Sequence, residues 1–315
     1  MHQTKLRSLA LVGMFLFGSA VVSEAYAQSD ADILDAAAAG NAGIVQTLLQ
    51  LQANPNAVDS LGYSALMYAA QSGYTDVVGA LLDAGAEINA VSSEGWTALL
   101  LTALQGQAGT ATELLARGAD PSITFGGGFT ALMVAAARGH AEVVDALLEG
   151  GMDIEAALSD GRTSLMAAAE GGHTEVVKTL IEHGANVNAR ANGGGTAASS
   201  ALRNGHLETA KELGKAGAVF LAGQTGLEAP SEPACPRPQW PESVWELELE
   251  GQIVVEFVVD TEGETEDSTV TLIQTPHPDL EEPAIEMFSN CEFNPGNIDG
   301  TPVRVRIRQG FSVGG

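Results

Sequence analysis

His140, His173 and His206 recur at a spacing of 33 residues, and imidazole is the commonest transition-metal ligand, so metal chemistry is the first possibility they raise. Three identical residues at so long and regular an interval belong to three copies of one local structure. They read as turn residues, and the sequence predicts no metal and no cofactor. Cys235 and Cys291 lack the C-x-x-C spacing of a redox or metal site. The carboxylates are dispersed, and no Ser, Cys or Thr stands in a recognisable nucleophile frame, so no catalytic residue and no enzyme is predicted. What remains is the chemistry of recognition. Tyr63, Trp96, Phe129 and Arg162 each directly follow a glycine. Arg304, Arg306 and Arg308 alternate with Val303, Val305 and Ile307, which puts three cations on one face of a strand and three aliphatic side chains on the other.

The elements that position these residues follow from two glycine registers. Gly62, Gly95, Gly128, Gly161 and Gly194 recur every 33 residues, and so do Gly40, Gly73, Gly106, Gly139, Gly172 and Gly205. Between the registers lies a short Ala-rich segment such as Tyr63-Ser64-Ala65-Leu66-Met67-Tyr68-Ala69-Ala70. After the second glycine comes an apolar quartet on one helix face: Ile44, Val45, Leu48, Leu49; then Val77, Val78, Leu81, Leu82; Val143, Val144, Leu147, Leu148; and Val176, Val177, Leu180, Ile181. Each unit is helix, turn, helix, and Thr130 and Thr163 are placed to cap inner helices. Thr110 and Ala111 replace two branched residues in the third unit, which marks it as the weak one. Asp30, Asp32 and Asp35 put polar residues on the first inner helix, and Thr209, Ala210 and Gly214 interrupt the last outer quartet, as the capping repeats of an array require.

This pattern resembles the ankyrin repeat, whose Gly-x-Thr-Pro-Leu-His signature is answered by Gly128-Phe129-Thr130-Ala131-Leu132-Met133. The resemblance covers about 30–220 and implies an all-α solenoid of six repeats. The chain departs from the signature in carrying Ala65, Ala98, Ala131 and Ser164 for its Pro, and Met67, Leu100, Met133 and Met166 for its His, so apolar contact must replace the hydrogen bonds of that His. In ankyrin proteins the position after the first glycine lines the hairpin side of the concave face. The resemblance therefore implies a partner-binding surface of Tyr63, Trp96, Phe129 and Arg162, flanked by Gln71, Gln105, Arg138 and Glu170. Packing of the aromatics on neighbouring hairpins is the other reading.

The chain carries 14 Lys plus Arg against 40 Asp plus Glu, and a net charge of −26 excludes an anionic polymer such as nucleic acid as the partner. Lys5 and Arg7 precede an apolar run from Leu9 to Val22 and then Ala25-Tyr26-Ala27, which reads as a signal peptide cleaved between Ala27 and Gln28. The alternative is a retained anchor, for which a run of about 14 residues is short. Export would deliver Cys235 and Cys291 to an oxidising compartment, where a disulfide closing their loop is worth about 4 kcal/mol in the chain-entropy model. The alternative is two unpaired buried thiols.

Beyond Leu221 the repeat fails, and Pro230, Pro233, Pro236, Pro238 and Pro241 suggest a stiff connector. A strand over 252–260, a turn at Thr261-Glu262-Gly263 and a second strand through Val270 to Ile273 follow. A helix then starts either at an Asp279 cap or at Pro283, and Val303–Arg308 forms a last strand. The order strand, strand, helix, strand resembles the TonB C-terminal domain, on Pro238-Gln239-Trp240-Pro241, Glu250-Gly251-Gln252-Ile253-Val254, Asp260 with Gly263, Phe293-Asn294-Pro295-Gly296 and Gly300-Thr301-Pro302-Val303. That resemblance implies a periplasmic α+β domain that adds a short extended peptide to its last strand. The implied edge is Val303, Arg304, Val305, Arg306, Ile307 and Arg308, continuing to Phe311, with Arg237, Gln239 and Trp240 nearby. The arginines suit an acidic segment, or else serve only to keep an exposed strand from aggregating.

The expected organisation is a signal peptide over 1–27, ankyrin repeats over 28–220, a linker over 221–234 and a TonB-like domain over 235–315. The expected function is a periplasmic adaptor for protein partners, an outer-membrane receptor or another envelope protein among them. The alternative is an inner-membrane-anchored energy transducer in outer-membrane transport, with membrane contact only if the N-terminal segment is retained.

Overall fold

The computed structural model describes residues 30–236, 238–241 and 251–313. The expected signal segment with its Ala27–Gln28 cleavage point, together with Arg237 and Glu250, lies outside these residues. Two compact units make up the chain, one of residues up to Ala135 with His140–Asp153, the other of Ala136–Gly139 with Ile154 onward.

In the first unit a helix over 30–38 (α1) and Ala42–Gln50 (α2) form the first pair. They are followed by α3 (Ala65–Ser72) with α4 (Thr75–Asp83), α5 (Ala98–Gln105) with α6 (Ala108–Ala116), and α7 (Ala131–Arg138) with α8 (Ala141–Glu149). The inner helices start where a hydroxyl accepts an otherwise unmet backbone N–H: Ser64 from Met67, Thr97 from Leu100 and Thr130 from Met133, each at 3.2 Å. They stop at glycines in the left-handed region, such as Gly106 at φ 78°. Gly106 is required a second time, because a Cβ there would lie 2.7 Å from the His140 ring. Buried alanines let inner helices pack together, as α3 does on α5. Met67, Leu100 and Met133 are buried where the signature has its histidine, so apolar contact fills that position.

The turn residues nonetheless link the repeats. Gln107 Nε2 donates to the Gln71 carbonyl at 3.4 Å, and His140 Nε2 lies 3.3 Å from the Leu104 carbonyl. Asn56 accepts the Glu87 N–H at 2.7 Å and Asn89 the Asp120 N–H at 2.8 Å, so each hairpin is tied to the next. In the third repeat, Thr110 does not stand as an unmet polar group. Its hydroxyl is buried against that of Thr75 at 2.8 Å, which satisfies both. Ile44 occupies the same phase as Thr110 in the first repeat and is 53% exposed, since no described repeat precedes it.

The second unit contains α9 (Ser164–Gly171) with α10 (Thr174–Glu182), α11 (Ala197–Arg203) with α12 (Leu207–Lys215), and then the α+β domain. Its strands are β1 (Val219–Leu221), β2 (Ser231–Ala234), β3 (Gly251–Val259), β4 (Thr271–Gln274), β5 (Glu292–Asn294), β6 (Asn297–Ile298), β7 (Thr301–Pro302) and β8 (Arg304–Val313). A helix, α13 (Glu281–Ser289), stands between β4 and β5. The main sheet has the order β1-β8-β3-β4, with β3 antiparallel to both its neighbours. Ile253, Val255, Phe257, Val259, Val305 and Ile307 are buried, and Phe257 meets Phe288 of α13 at 5.3 Å between ring centres. α13 begins at Glu281, after a 3₁₀ turn capped by His277, rather than at an Asp279 cap or at Pro283. Pro283 then falls in the first turn, where its missing N–H costs no intrahelical bond. Cys235 and Cys291 are joined in a disulfide beside the β2–β5 pair.

The expected connector is not one. β1 pairs in parallel with β8, Val219 opposite Arg304 and Leu221 opposite Arg306, and β2 pairs with β5. Between them the Glu228 and Asn297 N–H and carbonyl groups exchange bonds at 2.8 and 2.9 Å. Nor is the last repeat a polar cap. Thr209, Ala210, Leu213 and Gly214 are buried, and Thr209 meets Thr174 at 2.8 Å. A Cβ on Gly214 would stand 2.7 Å from Val303 Cγ1 and 3.5 Å from the Phe220 ring. In α4, by contrast, a Cβ on Gly79 would meet only the end of the Arg117 side chain, at 3.9 Å. Helix propensity favours alanine at both positions, so Gly79→Ala should stabilise the protein by about 0.5–1 kcal/mol. Gly214→Ala should instead destabilise it by about 1 kcal/mol or more through overpacking. Opposite shifts in thermal or urea unfolding midpoint check the pair.

Candidate functional site

The hairpins between α2 and α7 carry the expected aromatic series, and the Tyr63 and Trp96 rings are each held by a neighbouring aromatic that was not among the expected site residues. Tyr63 is half-buried, with its ring 5.8 Å from that of Tyr68 and its hydroxyl donating to Glu94 at 3.2 Å. Tyr68 donates to Asp59 at 2.7 Å, while Asp59 also accepts the N–H groups of Leu61 and Tyr63, each at 2.9 Å. Burial opposes ionisation of Asp59, but the Tyr68 hydroxyl and these N–H groups together hold its carboxyl below the usual range. The hydrogen bond to Asp59, with burial second and the Asp59 charge third, pushes the Tyr68 phenol up to about 12. Trp96 stacks on Phe125 with ring centres 3.9 Å apart, and Phe125 exchanges both backbone hydrogen bonds with Phe129 at 2.9 Å. Phe125 was legible as an apolar residue four before Phe129, across Gly126-Gly127-Gly128; it shares the 33-residue phase of Asp59, Ser92 and Leu158, where no other repeat places an aromatic. Gln71 is half-buried and Gln105 is exposed.

In the second unit Arg138, Arg162 and Glu170 are exposed. Arg162 bonds Asp160 within its own hairpin at 2.8 Å, and this lowers the Asp160 carboxyl. The Glu170 carbonyl lies 3.1 Å from His206 Nε2, and the Ala137 carbonyl 3.1 Å from His173 Nε2. These histidines are linkers between repeats.

The expected strand-addition edge is partly occupied by the chain itself. Arg304, Val305 and Arg306 pair with β1, and the Ala222 N–H donates to the Arg306 carbonyl at 3.1 Å. The arginines are also engaged. Arg304 makes a two-pronged bond to Glu266, each contact 2.6 Å, and donates to the Gly217 carbonyl at 2.8 Å. The Glu266 hydrogen bond raises the Arg304 pKa above the ordinary guanidinium value. Arg306 and Arg308 share Glu256 at 3.1 and 3.3 Å. Three cations therefore face two carboxylates, and Arg308 is the most exposed of them. Val303, Val305 and Ile307 point into the core. Trp240 stacks against Phe311 at 5.9 Å, beside the far end of β8, whereas Gln239 lines a cleft with Pro236, Pro283, Met287 and Asn290. Beyond Arg306, among the described residues, no strand pairs with β8 on its β1 side.

The family model for ankyrin repeats matches residues 33–125, 84–157, 113–191 and 132–222, together more than half of the chain. The chain belongs to the ankyrin-repeat family. The crystal structure of the human ASB11 ankyrin repeat domain is similar at 29% identity and a TM-score of 0.55, covering 59% of this chain and 83% of that one. Residues 236–312 match the model for the Gram-negative bacterial TonB protein C-terminal. No curated protein matches the chain. The ankyrin matches reach residue 222, so they include β1, the strand that also belongs to the C-terminal sheet. Both families are non-catalytic interaction modules: the ankyrin repeats suggest protein–protein interaction, and the match to the TonB C-terminal suggests an envelope-related role.

The Asp59–Tyr68 pair is testable by pH. Because the Asp59 carboxyl is lowered on folding, its contribution to stability is complete above the unfolded carboxylate range near 4. That contribution disappears as pH falls through the folded value. The raised Tyr68 pKa contributes below the unfolded value near 10 and is lost as pH rises through about 12. Tyr68→Phe should cost about 1 kcal/mol in urea unfolding at neutral pH. It should also remove the highest-pH step from the tyrosine absorbance titration.

Proposed function

We propose that this protein is an exported periplasmic adaptor that joins two recognition events, a folded protein partner on the ankyrin hairpin side and an extended peptide on the TonB-type sheet. The observation that carries this reading is the strand β1, which leaves the last repeat and enters the C-terminal sheet. A partner held on the last repeats and a peptide held on β8 would then be joined through packed backbone rather than a free tether. On the ankyrin side the first unit offers Tyr63, Gln71, Trp96, Gln105 and Phe129, with Phe125, as binding residues, and the second unit, taken by itself, offers Arg138, Arg162 and Glu170. On the sheet, β1 restricts strand addition to β8 beyond Arg306. A guest strand would lie end to end with β1, with Arg308 and the Trp240–Phe311 pair beside it. Backbone bonds supply the affinity of such an arrangement, and neighbouring side chains its choice. The export signal and the disulfide are consistent with the periplasm.

Proximity labelling in the periplasm, followed by variants, tests both halves. Trp96→Ala with Phe125→Ala should remove one set of labelled partners. Gly310→Pro, which deletes an N–H on the outward side of β8, should remove another set and leave the first. Retention of every partner by both variants would sink the adaptor. Intact mass decides the remaining question: a chain starting at Gln28 supports the adaptor, and a full-length chain in the inner membrane supports an anchored transducer instead.

A further inference from the structure

Charge and apolar exposure are unevenly distributed along the repeats. From Ser8 to Ala116 the sequence contains no Lys and no Arg, whereas nine carboxylates fall between Asp30 and Glu113. The same three repeats hold Ile44, Leu51, Val58, Leu61, Tyr74 and Val91, six of the nine large apolar side chains that stand exposed among the described residues. Val58, Leu61 and Val91 lie on two consecutive hairpins and are 53%, 50% and 54% exposed. Those hairpins are laced together, because Ser93 donates from its N–H and its hydroxyl to the Leu61 carbonyl at 2.9 and 2.7 Å, and Tyr63 donates to Glu94 at 3.2 Å. The three aliphatic side chains therefore belong to one fixed ridge. Asp59, Glu87 and Glu94 lie along it in sequence, and no ion pair is formed with them by a described residue. Arg117, by contrast, neutralises Asp83 and Glu113 on the outer helices.

We infer that this hairpin ridge docks a basic segment of another protein in which Lys or Arg side chains are interspersed with aliphatic ones. The inference rests on the ankyrin side of the adaptor reading and names the chemistry of its partner. An anionic partner is repelled by the carboxylate excess of these repeats, of which Arg117 answers only Asp83 and Glu113 in the ion pairs described. A purely apolar partner would leave the ridge carboxylates to be desolvated unpaired, which is costly. A cationic, aliphatic-bearing segment covers the apolar side chains and answers the charges together, with the charges contributing chiefly to association rate and choice of partner.

The probe is a fluorescein-labelled peptide alternating Lys and Leu, with a Lys/Ser peptide of equal charge as its comparison, titrated against the full exported chain by anisotropy. The Lys/Leu peptide should bind at least about ten-fold more tightly than Lys/Ser, a difference of about 1.4 kcal/mol. Val58→Ser with Leu61→Ser and Val91→Ser should erase that preference. Glu87→Gln with Glu94→Gln should weaken binding at low salt and flatten its salt dependence. Glu142→Gln with Glu149→Gln removes equal charge from α8 and should leave binding unchanged. Equal loss in the α8 variant would reduce the effect to net charge and overturn the inference, as would full Lys/Leu preference in a folded ridge variant. If the serine variant unfolds, the two Gln pairs decide the matter. Labelled partners lost on Trp96→Ala with Phe125→Ala but kept by both ridge variants would overturn the basic-segment inference and leave the adaptor standing.

Discussion

The parallel pairing of Val219–Leu221 with Arg304–Arg306 is the contact on which the organisation of the second unit depends. At its start Val219 behaves as the first residue of one more hairpin, for its N–H bonds Asn188 at 2.8 Å just as Asn186 bonds Glu155 at 2.7 Å. Two residues later the same chain is a strand of the C-terminal sheet. Gly217 shows the handover at one atom, because its carbonyl accepts from both Asn188 and Arg304. The last repeat would otherwise leave Leu213 and its neighbours open to solvent. Val303, Phe220 and Ile298 are all buried in this region, and Gly214 has no side chain because Val303 stands in its way. The domain thus completes the array as a terminal capping repeat would.

That arrangement alters what recognition the second module can offer. A TonB-type sheet with a fully open last strand could take a peptide along its whole length. Here the first part of β8 is filled by the chain's own backbone, and the arginines that seemed suited to an acidic guest bond Glu266 and Glu256. The part of β8 left without a strand on that side is the Trp240–Phe311 end, to which the proposed backbone recognition is confined. In the first unit the hairpins are similarly committed internally: Trp96 is covered on one face by Phe125, and Tyr63 is anchored by Glu94. Anchors whose rotamers are fixed before binding lose less entropy when a partner arrives.

Much of this was legible in the sequence because a repeat states its rules many times. The glycine phases, the hydroxyl caps at Thr130 and Thr163 and the apolar face of the outer helices, of which Val77, Val78 and Leu81 are buried in the second repeat, follow from spacing alone, since 33-residue copies must meet the same neighbours. The alternation of Val303, Val305 and Ile307 fixed which side of β8 is core. The partner of Thr110 was not legible, because Thr75 is 35 residues away in another repeat. Phe125 and Tyr68 sit at regular repeat positions, but the other repeats carry Asp59, Ser92 and Leu158 in the phase of Phe125 and Leu101 and Val134 in that of Tyr68, so periodicity did not mark them as aromatic partners. Val219-Phe220-Leu221 did leave a signal: every earlier Gly-Ala or Gly-Met pair at this phase is followed by Glu, Asp or Asn, and this one by an apolar run.

The sequence by itself determined the repeat architecture, the class of the C-terminal domain and the acidic, cation-free character of the first three repeats, because local periodicity, capping and charge are carried by single residues and their near neighbours. Only the tertiary structure decided that the presumed connector is a strand, that β8 is partly filled from within and that Gly214 is a contact point. Those facts concern which segments meet across 80 residues or more, and a backbone strand carries no sequence label for the strand it will pair with.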